Sequence, residues 1–144
     1  MFLGEYGHSL DPKGRLILPA RFREQLTQAY VSGQIDGCLA LWAPAEFEEQ
    51  AREMKERTKG SATDRNMARV FFAGAQEASP DRQGRIAVPQ NLREFAGLSH
   101  EVVVTGAYDH VEIWDAEAWR RTKGLGETAL HADPTGDEPQ PAPA

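Results

Sequence analysis

The feature of the sequence most suggestive of chemistry is a short motif, D-x-x-G-R, that occurs twice. The first copy runs from Asp11 to Arg15 and the second from Asp81 to Arg85. Asp and Gly suit a type I turn whose Gly takes a positive φ, but such a turn does not require an Arg after the Gly. A guanidinium at that position can bind phosphates or the paired acceptors of a guanine edge, and the Asp can orient it by a charge-assisted hydrogen bond.

Further basic side chains lie in and just after both turns. The residues that we predict to form the DNA-binding site are Asp11, Lys13, Gly14, Arg15, Asp81, Arg82, Gly84 and Arg85, with Arg21, Arg23 and Arg93 as candidates for additional contacts. The alternative is that Asp and Arg pair only to stabilise a hairpin end. In that case, replacing Arg15 and Arg85 would destabilise or disassemble the protein, whereas a DNA-reading role predicts weaker DNA binding with the assembly unchanged.

An internal repeat relates the two motifs. A shift of 70 residues places residues 2–24 over residues 72–94 with nine identical positions. Ordinary composition would give only about one or two identities in such a window. The two halves of the chain should therefore share one fold.

Each repeat predicts the same order of elements. The predicted strands are residues 2–10, 16–18, 30–35 and 38–42 in the first repeat and residues 70–79, 86–88, 102–105 and 110–114 in the second. A proline after each second strand suits the start of a helix. An amphipathic helix is predicted from Pro44 to about Lys59, and a helix capped by Asp115 should end near Gly124. Between the repeats, a capping box at Ser61 predicts a further helix.

These elements predict an α+β, β-rich fold with two tandem units. The first unit covers residues 1–60 and the second covers residues 61–125. Residues 126–144 are acidic and rich in proline, and we predict that they form a disordered tail.

The charge balance looks unfavourable for a nucleic-acid binder at first, because the chain carries a formal net charge of −6. Four of its acidic residues, however, lie from Glu127 onward, where the sequence contains no Lys or Arg. No apolar run approaches the roughly 20 residues needed to cross a bilayer, and the N-terminus does not resemble a signal peptide. With Cys38 as its single cysteine, the chain suits a reducing cytoplasm. We therefore expect a cytoplasmic protein without a membrane role.

The sequence indicates neither an enzyme nor a cofactor-binding protein. The histidines His8, His100, His110 and His131 are too scattered for metal-ligand spacing and have no cysteine pair to join. No Ser-His-Asp arrangement, paired carboxylates or Gly-rich phosphate loop stands out. We expect no metal, no cofactor and no small-molecule substrate.

The sequence closely resembles the MraZ family, bacterial regulators associated with the division and cell-wall gene cluster. The resemblance lies in the two D-x-x-x-R motifs, the start Met1-Phe2-x-Gly4 and the run Val111-Glu112-Ile113-Trp114, and it extends from residue 1 to about residue 123. It implies two swapped-hairpin AbrB-like units that form a pseudo-twofold β-barrel with flanking helices. It also implies a ring-shaped homo-oligomer, association with the nucleoid, and binding of the two turns to short direct repeats in the protein's own promoter.

Other roles stay open at this stage. One is an antitoxin-like AbrB-class protein that binds DNA with its barrel and a toxin with its tail, although the acidic tail lacks apolar anchors for such a partner. Another is a structural or protein-binding ring that does not read DNA.

Overall fold

The computed structural model describes residues 1–132, which form eight strands and five α-helices. The strands are β1 (Glu5–Ser9), β2 (Arg15–Ile17), β3 (Tyr30–Gly33), β4 (Leu39–Trp42), β5 (Gln76–Glu77), β6 (Arg85–Ala87), β7 (Glu101–Gly106) and β8 (Val111–Asp115). The helices are α1 (Ala20–Arg23), α2 (Pro44–Glu56), α3 (Ala62–Gly74), α4 (Gln90–Phe95) and α5 (Ala116–Ala132), with a 3-10 helix (Arg57–Lys59) between α2 and α3. None of these helices is long and apolar enough to span a membrane.

Six strands form one antiparallel sheet in the order β1-β7-β8-β4-β3-β5. β1 of the first repeat pairs with β7 of the second, with Glu5 opposite Thr105. In the same way β5 of the second repeat pairs with β3 of the first, with Glu77 opposite Tyr30. The sheet therefore has a pseudo-twofold axis between β8 and β4, and each repeat gives its first strand to the other.

The remaining two strands, β2 and β6, form a separate antiparallel ribbon in which Leu16 lies opposite Ile86. Both side chains are fully buried against the inner face of the sheet. Their partners in the main core include Val31, Leu39, Leu41, Val102, Val104, Val111 and Ile113. The ribbon thus forms one wall of the apolar core, and each repeat contributes one of its two strands.

The α+β class is confirmed, but the six-stranded sheet does not close into a barrel. Closure would require the edge strands β1 and β5 to pair with each other, and they do not. The predicted strand over residues 70–79 is also wrong in its first half, since α3 continues to Gly74. Only Gln76 and Glu77 remain to form β5, which is too short to close a sheet.

The length of α3 follows from its packing. The predicted capping box is confirmed, because the Ser61 hydroxyl accepts from the Asp64 backbone N–H at 3.2 Å and the Asp64 carboxylate accepts from the Ser61 N–H at 3.3 Å. A second apolar cluster then joins this helix to α2. Its members are Phe47, Ala51, Met54, Met67, Ala68 and Phe71. Burial of this helical face outweighs the strand tendency of Val70 and its neighbours.

The C-terminal helix is longer than predicted. The sequence predicts an end near Gly124 and a disordered tail from residue 126, yet α5 continues to Ala132, so residues 126–132 are helical. Gly124 and Gly126 each cost the helix about 1 kcal/mol. The good helix formers Leu125, Ala129 and Leu130, which lie between and after them, compensate for this loss. Residues 133–144 of the predicted tail lie outside the described residues. The division into units 1–60 and 61–125 stays a prediction.

The ribbon offers a direct test of the core. We expect Leu16→Ala to lower the free energy of unfolding by about 2–5 kcal/mol, because it removes a fully buried side chain from the wall of the core. Ile17→Ala is the matched control, since Ile17 follows in the same strand but is 50% exposed and should change stability by less than about 0.5–1 kcal/mol. Urea denaturation measures both variants. Equal losses would contradict the inward orientation of Leu16.

Candidate nucleic-acid interface

Both D-x-x-G-R motifs form the predicted turn. The Gly14 N–H donates to the Asp11 carbonyl at 2.9 Å, and the Gly84 N–H donates to the Asp81 carbonyl at 2.9 Å. The two glycines have φ values of 76° and 78°. Such angles are strained for any residue with a Cβ, which explains why glycine occupies this position in both repeats.

The aspartate of each turn holds the following arginine. One Asp11 oxygen accepts from the backbone N–H groups of Lys13 and Arg15 at 2.9 and 2.8 Å, and the other accepts from Arg15 Nε at 2.6 Å. Asp81 makes the equivalent bond to Arg85 Nε at 2.9 Å. Within residues 1–132 neither arginine makes a further side-chain hydrogen bond. Both Nη groups of each guanidinium therefore remain for a ligand.

The same hydrogen bonds keep both carboxylates charged. The backbone N–H of Arg15 is the main group that lowers the pKa of Asp11, and the Arg15 side chain adds to its effect. The Arg85 N–H and side chain lower the pKa of Asp81 in the same way. An ionised carboxylate at neutral pH makes the bond to each guanidinium charge-assisted and fixes its direction.

The ribbon brings the two motif arginines onto one surface. Arg15 lies opposite Ala87 and Ile17 lies opposite Arg85, and these four residues share the outer face of the ribbon because side chains alternate along a strand. Arg15 and Arg85 are therefore diagonal neighbours, a relation that places the Cα atoms about 7–8 Å apart. Their side chains are 31% and 27% exposed. The repeat alone does not predict this proximity.

Two further predicted arginines support the turns from the opposite repeat. A Cβ on Gly14 would collide with the guanidinium of Arg93, and one on Gly84 would collide with that of Arg23. Arg93 also donates from Nη1 to the Val88 carbonyl. The turn of each repeat is thus packed against an arginine of the other repeat, so Arg23 and Arg93 lie beside the predicted site.

The remaining predicted residues are exposed. Lys13 and Arg82 lie at the tips of the two turns, and Arg21 lies on α1. Together, residues 11–23 and 81–93 contain seven basic residues and two acidic ones. The site is therefore locally positive in a chain whose net charge is −6.

His110 and Cys38 lie near the central strands, and their neighbours indicate structural roles for both side chains. Both ring nitrogens of His110 face carboxylates, Asp109 at 2.7 Å and Glu112 at 3.0 Å, and its ring stacks on Trp42. Burial lowers the pKa of His110, but the two carboxylates raise it by more. Cys38 is buried, and burial raises the pKa of its thiol, so it is unsuited to act as a nucleophile.

The turns should make stability depend on pH. Because the folded-state pKa of Asp11 and Asp81 is lowered, their stabilising contribution is complete above the unfolded pKa of about 3.9 and is lost as pH falls through the folded-state pKa. We expect Asp11→Asn/Asp81→Asn to lower the melting temperature at pH 7. The difference in melting temperature between the variant and the unsubstituted protein should shrink steadily below about pH 4. Thermal melts followed by circular dichroism measure this difference, and a difference that stays constant with pH would contradict the proposed bonds.

The close packing of Arg93 on Gly14 can be separated from the cost of the positive φ. Gly14→Ala combines the strain of a positive φ with the overlap on Arg93. Gly37→Ala brings only the strain, because Gly37 has a φ of 86° and no atom of residues 1–132 lies within 4 Å of an added Cβ. We expect Gly37→Ala to cost about 1 kcal/mol and Gly14→Ala to cost more only by the bond to the Val88 carbonyl that Arg93 gives up when its flexible end moves aside. In an Arg93→Ala background, Gly14→Ala should therefore cost no more than Gly37→Ala. Chemical denaturation gives these energies, and identical losses at the two glycines would argue against the contact.

Comparison with known proteins agrees with the repeat and its motifs. The sequence profile of the MraZ protein family, described as antitoxin-like, matches residues 1–70 and 71–124. The protein named transcriptional regulator MraZ of Heliobacterium modesticaldum is 46% identical over 122 residues, covering 84% of this chain and 85% of the relative. Its namesake of Micrococcus luteus is 46% identical over 132 residues, covering 90% and 92% of the two chains. The chain therefore belongs to the MraZ family, whose members carry the name of transcriptional regulators rather than enzymes.

Proposed function

We propose that this protein is a sequence-specific DNA-binding transcriptional regulator that reads DNA with the outer face of the β2–β6 ribbon and its two turns. The observation that carries the proposal is the pair Arg15 and Arg85, which lie diagonally across the outer face of the ribbon with each Nε held by the aspartate of its own turn. The name of the relatives, transcriptional regulator, supports it.

A two-stranded antiparallel ribbon such as β2–β6 is an element that can enter a DNA groove. A two-stranded ribbon fits the major groove of B-DNA, which is about 12 Å wide, and Arg is the commonest reader of guanine through its paired donors. With Nε occupied by the aspartate, the two Nη groups form the donor pair that would meet the guanine edge. The exposed tips at Lys13 and Arg82 would then contact phosphates at the two ends of the ribbon.

A single ribbon offers few cations, so one copy of the chain should bind DNA weakly. We propose that the protein acts as a ring-shaped homo-oligomer whose ribbons bind short direct repeats in its own promoter, within the division and cell-wall gene cluster. Several ribbons on one rigid assembly gain affinity through effective concentration. In this proposal the protein works in the cytoplasm on the nucleoid.

The test is a fluorescence anisotropy titration with a labelled duplex from upstream of the gene, at about 0.15 M ionic strength. Each arginine–guanine pair should contribute about 1–3 kcal/mol, so Arg15→Ala/Arg85→Ala removes at least about 2 kcal/mol and should weaken the affinity by at least roughly 30-fold. Light scattering should give the same assembly for the variant as for the unsubstituted protein.

The matched control is Arg120→Ala/Arg121→Ala, which removes the same charge from exposed positions in the first half of α5. It should bind DNA within a few-fold of the unsubstituted protein. If Arg15→Ala/Arg85→Ala binds equally well, the ribbon does not read DNA. If that variant disassembles or unfolds, the arginines have a structural role instead. Equal binding to a scrambled duplex would favour a protein-binding or structural ring.

A further inference from the structure

The two repeats differ in how their long helices are covered. In the first repeat, α2 packs against α3 through Phe47, Ala51 and Met54. In the second repeat, α5 occupies the equivalent position after β8, but its second half has no such neighbour among residues 1–132. In the part of the chain that the structure describes, nothing outside the helix lies within 4 Å of a Cβ added at Gly124 or Gly126.

That uncovered half of α5 carries an apolar face. At 100° per residue, Leu125, Gly126, Ala129 and Leu130 lie within about 140° of one another around the helix. Leu125 and Leu130 are 74% and 79% exposed. Large apolar side chains grouped in this way on a surface mark a contact with another molecule.

An apolar groove of about 680 Å³ lies along α3, where it faces α4 and the β3–β4 turn. Its lining includes Ile35, Met67, Val70, Phe71 and Phe95. Val70 and Ile35 are 63% and 65% exposed. An amphipathic helix can lay its apolar face into a groove of this kind. The groove contains no residue of its own chain's α5.

The charges around the two surfaces are opposite. Arg57 donates to the sulfur of Met67 at 3.3 Å, and Arg69 donates to the Asn66 side chain at 2.8 Å, so both guanidinium groups are attached to residues that line the groove. Residues 52–69 contain six basic and three acidic residues. From Gly124 to Ala132, the described second half of α5, the chain has one acidic residue, Glu127, and no Lys or Arg.

We propose that the groove along α3 receives the second half of α5 from a second copy of this chain. The inference deepens the proposed function, because it rests on self-assembly and names the surfaces that produce it. One copy gives its helix and accepts another at a different surface, so the contact is head-to-tail, and repeated contacts of this kind close into a ring when the rotation allows. In such a contact one side of α3 packs on its own α2 and the adjacent side, which includes Val70, meets the neighbour's α5, with Met67 and Phe71 at the boundary between them. The second half of α5 then has a helix packed against it, as α2 has in α3.

The test is cross-linking between two single-substitution versions of the full chain. Chains carrying Val70→Cys are mixed with chains carrying Leu125→Cys, allowed to exchange subunits, and treated with a short bis-maleimide. Cys38 is buried and should not react. We expect a covalent dimer of one chain of each kind, at least tenfold above the yield from a Val70→Cys and Tyr108→Cys mixture. Tyr108 is a matched control because it is 69% exposed but lies in the β7–β8 turn. Light scattering of the unsubstituted chain is measured in parallel.

The failures can be told apart. If light scattering finds the chain assembled but the Val70→Cys and Leu125→Cys mixture gives no more covalent dimer than the control, this inference is wrong. The proposed ring would remain possible, with its contacts at other surfaces. Efficient dimers from either version alone would also overturn it, because they indicate a symmetric contact. A monomeric chain at micromolar concentration would overturn both the inference and the proposed ring. DNA reading by the ribbon is decided separately by the anisotropy titration.

Discussion

The antiparallel pairing of β2 with β6 is the interaction on which the core and the candidate site both depend. Beyond the three paired residues on each strand, the Leu18 N–H donates to the Gly84 carbonyl and the Val88 N–H donates to the Gly14 carbonyl, each at 3.0 Å. These bonds connect the ladder directly to the glycine of each turn. One face of the ribbon then completes the apolar core, while the other presents two oriented guanidinium groups. A change in register by one residue would exchange these faces and abolish both properties together.

The Asp–Arg pair in each turn has a structural consequence as well as a chemical one. Its bonds to backbone N–H groups and to Nε stabilise the turn, as the structural alternative predicts. They also leave the Nη groups of Arg15 and Arg85 unengaged by any of residues 1–132, on a surface that a ligand can reach. The two roles are therefore compatible in geometry. The arrangement reduces the freedom that each guanidinium would lose on binding, because its planar donor fork is already held in place.

What the sequence predicted correctly depends on short-range chemistry. The turns, the Asp–Arg pairing and the capping box at Ser61 follow from residues within four positions of each other, and the strands of the second repeat follow from their apolar content. The continuation of α3 to Gly74 and of α5 to Ala132 was missed. In the first case contacts with α2 decide the outcome, and in the second several good helix formers outweigh two glycines. Partners that join the repeats, such as Arg93 with Gly14, could not be predicted because they arise only once β2 and β6 have paired.

The exchange of first strands also constrains how this chain can fold while it is being synthesised. Glu5 pairs with Thr105, so the partner of β1 is made 100 residues later. At typical elongation rates of 5–20 residues per second, β1 waits roughly 5–20 s on the ribosome for its partner. During that time its unpaired edge and the apolar side of the first repeat are exposed. Such a nascent chain therefore exposes an unpaired strand edge and apolar surface for longer than a protein whose repeats close independently, and both features favour aggregation.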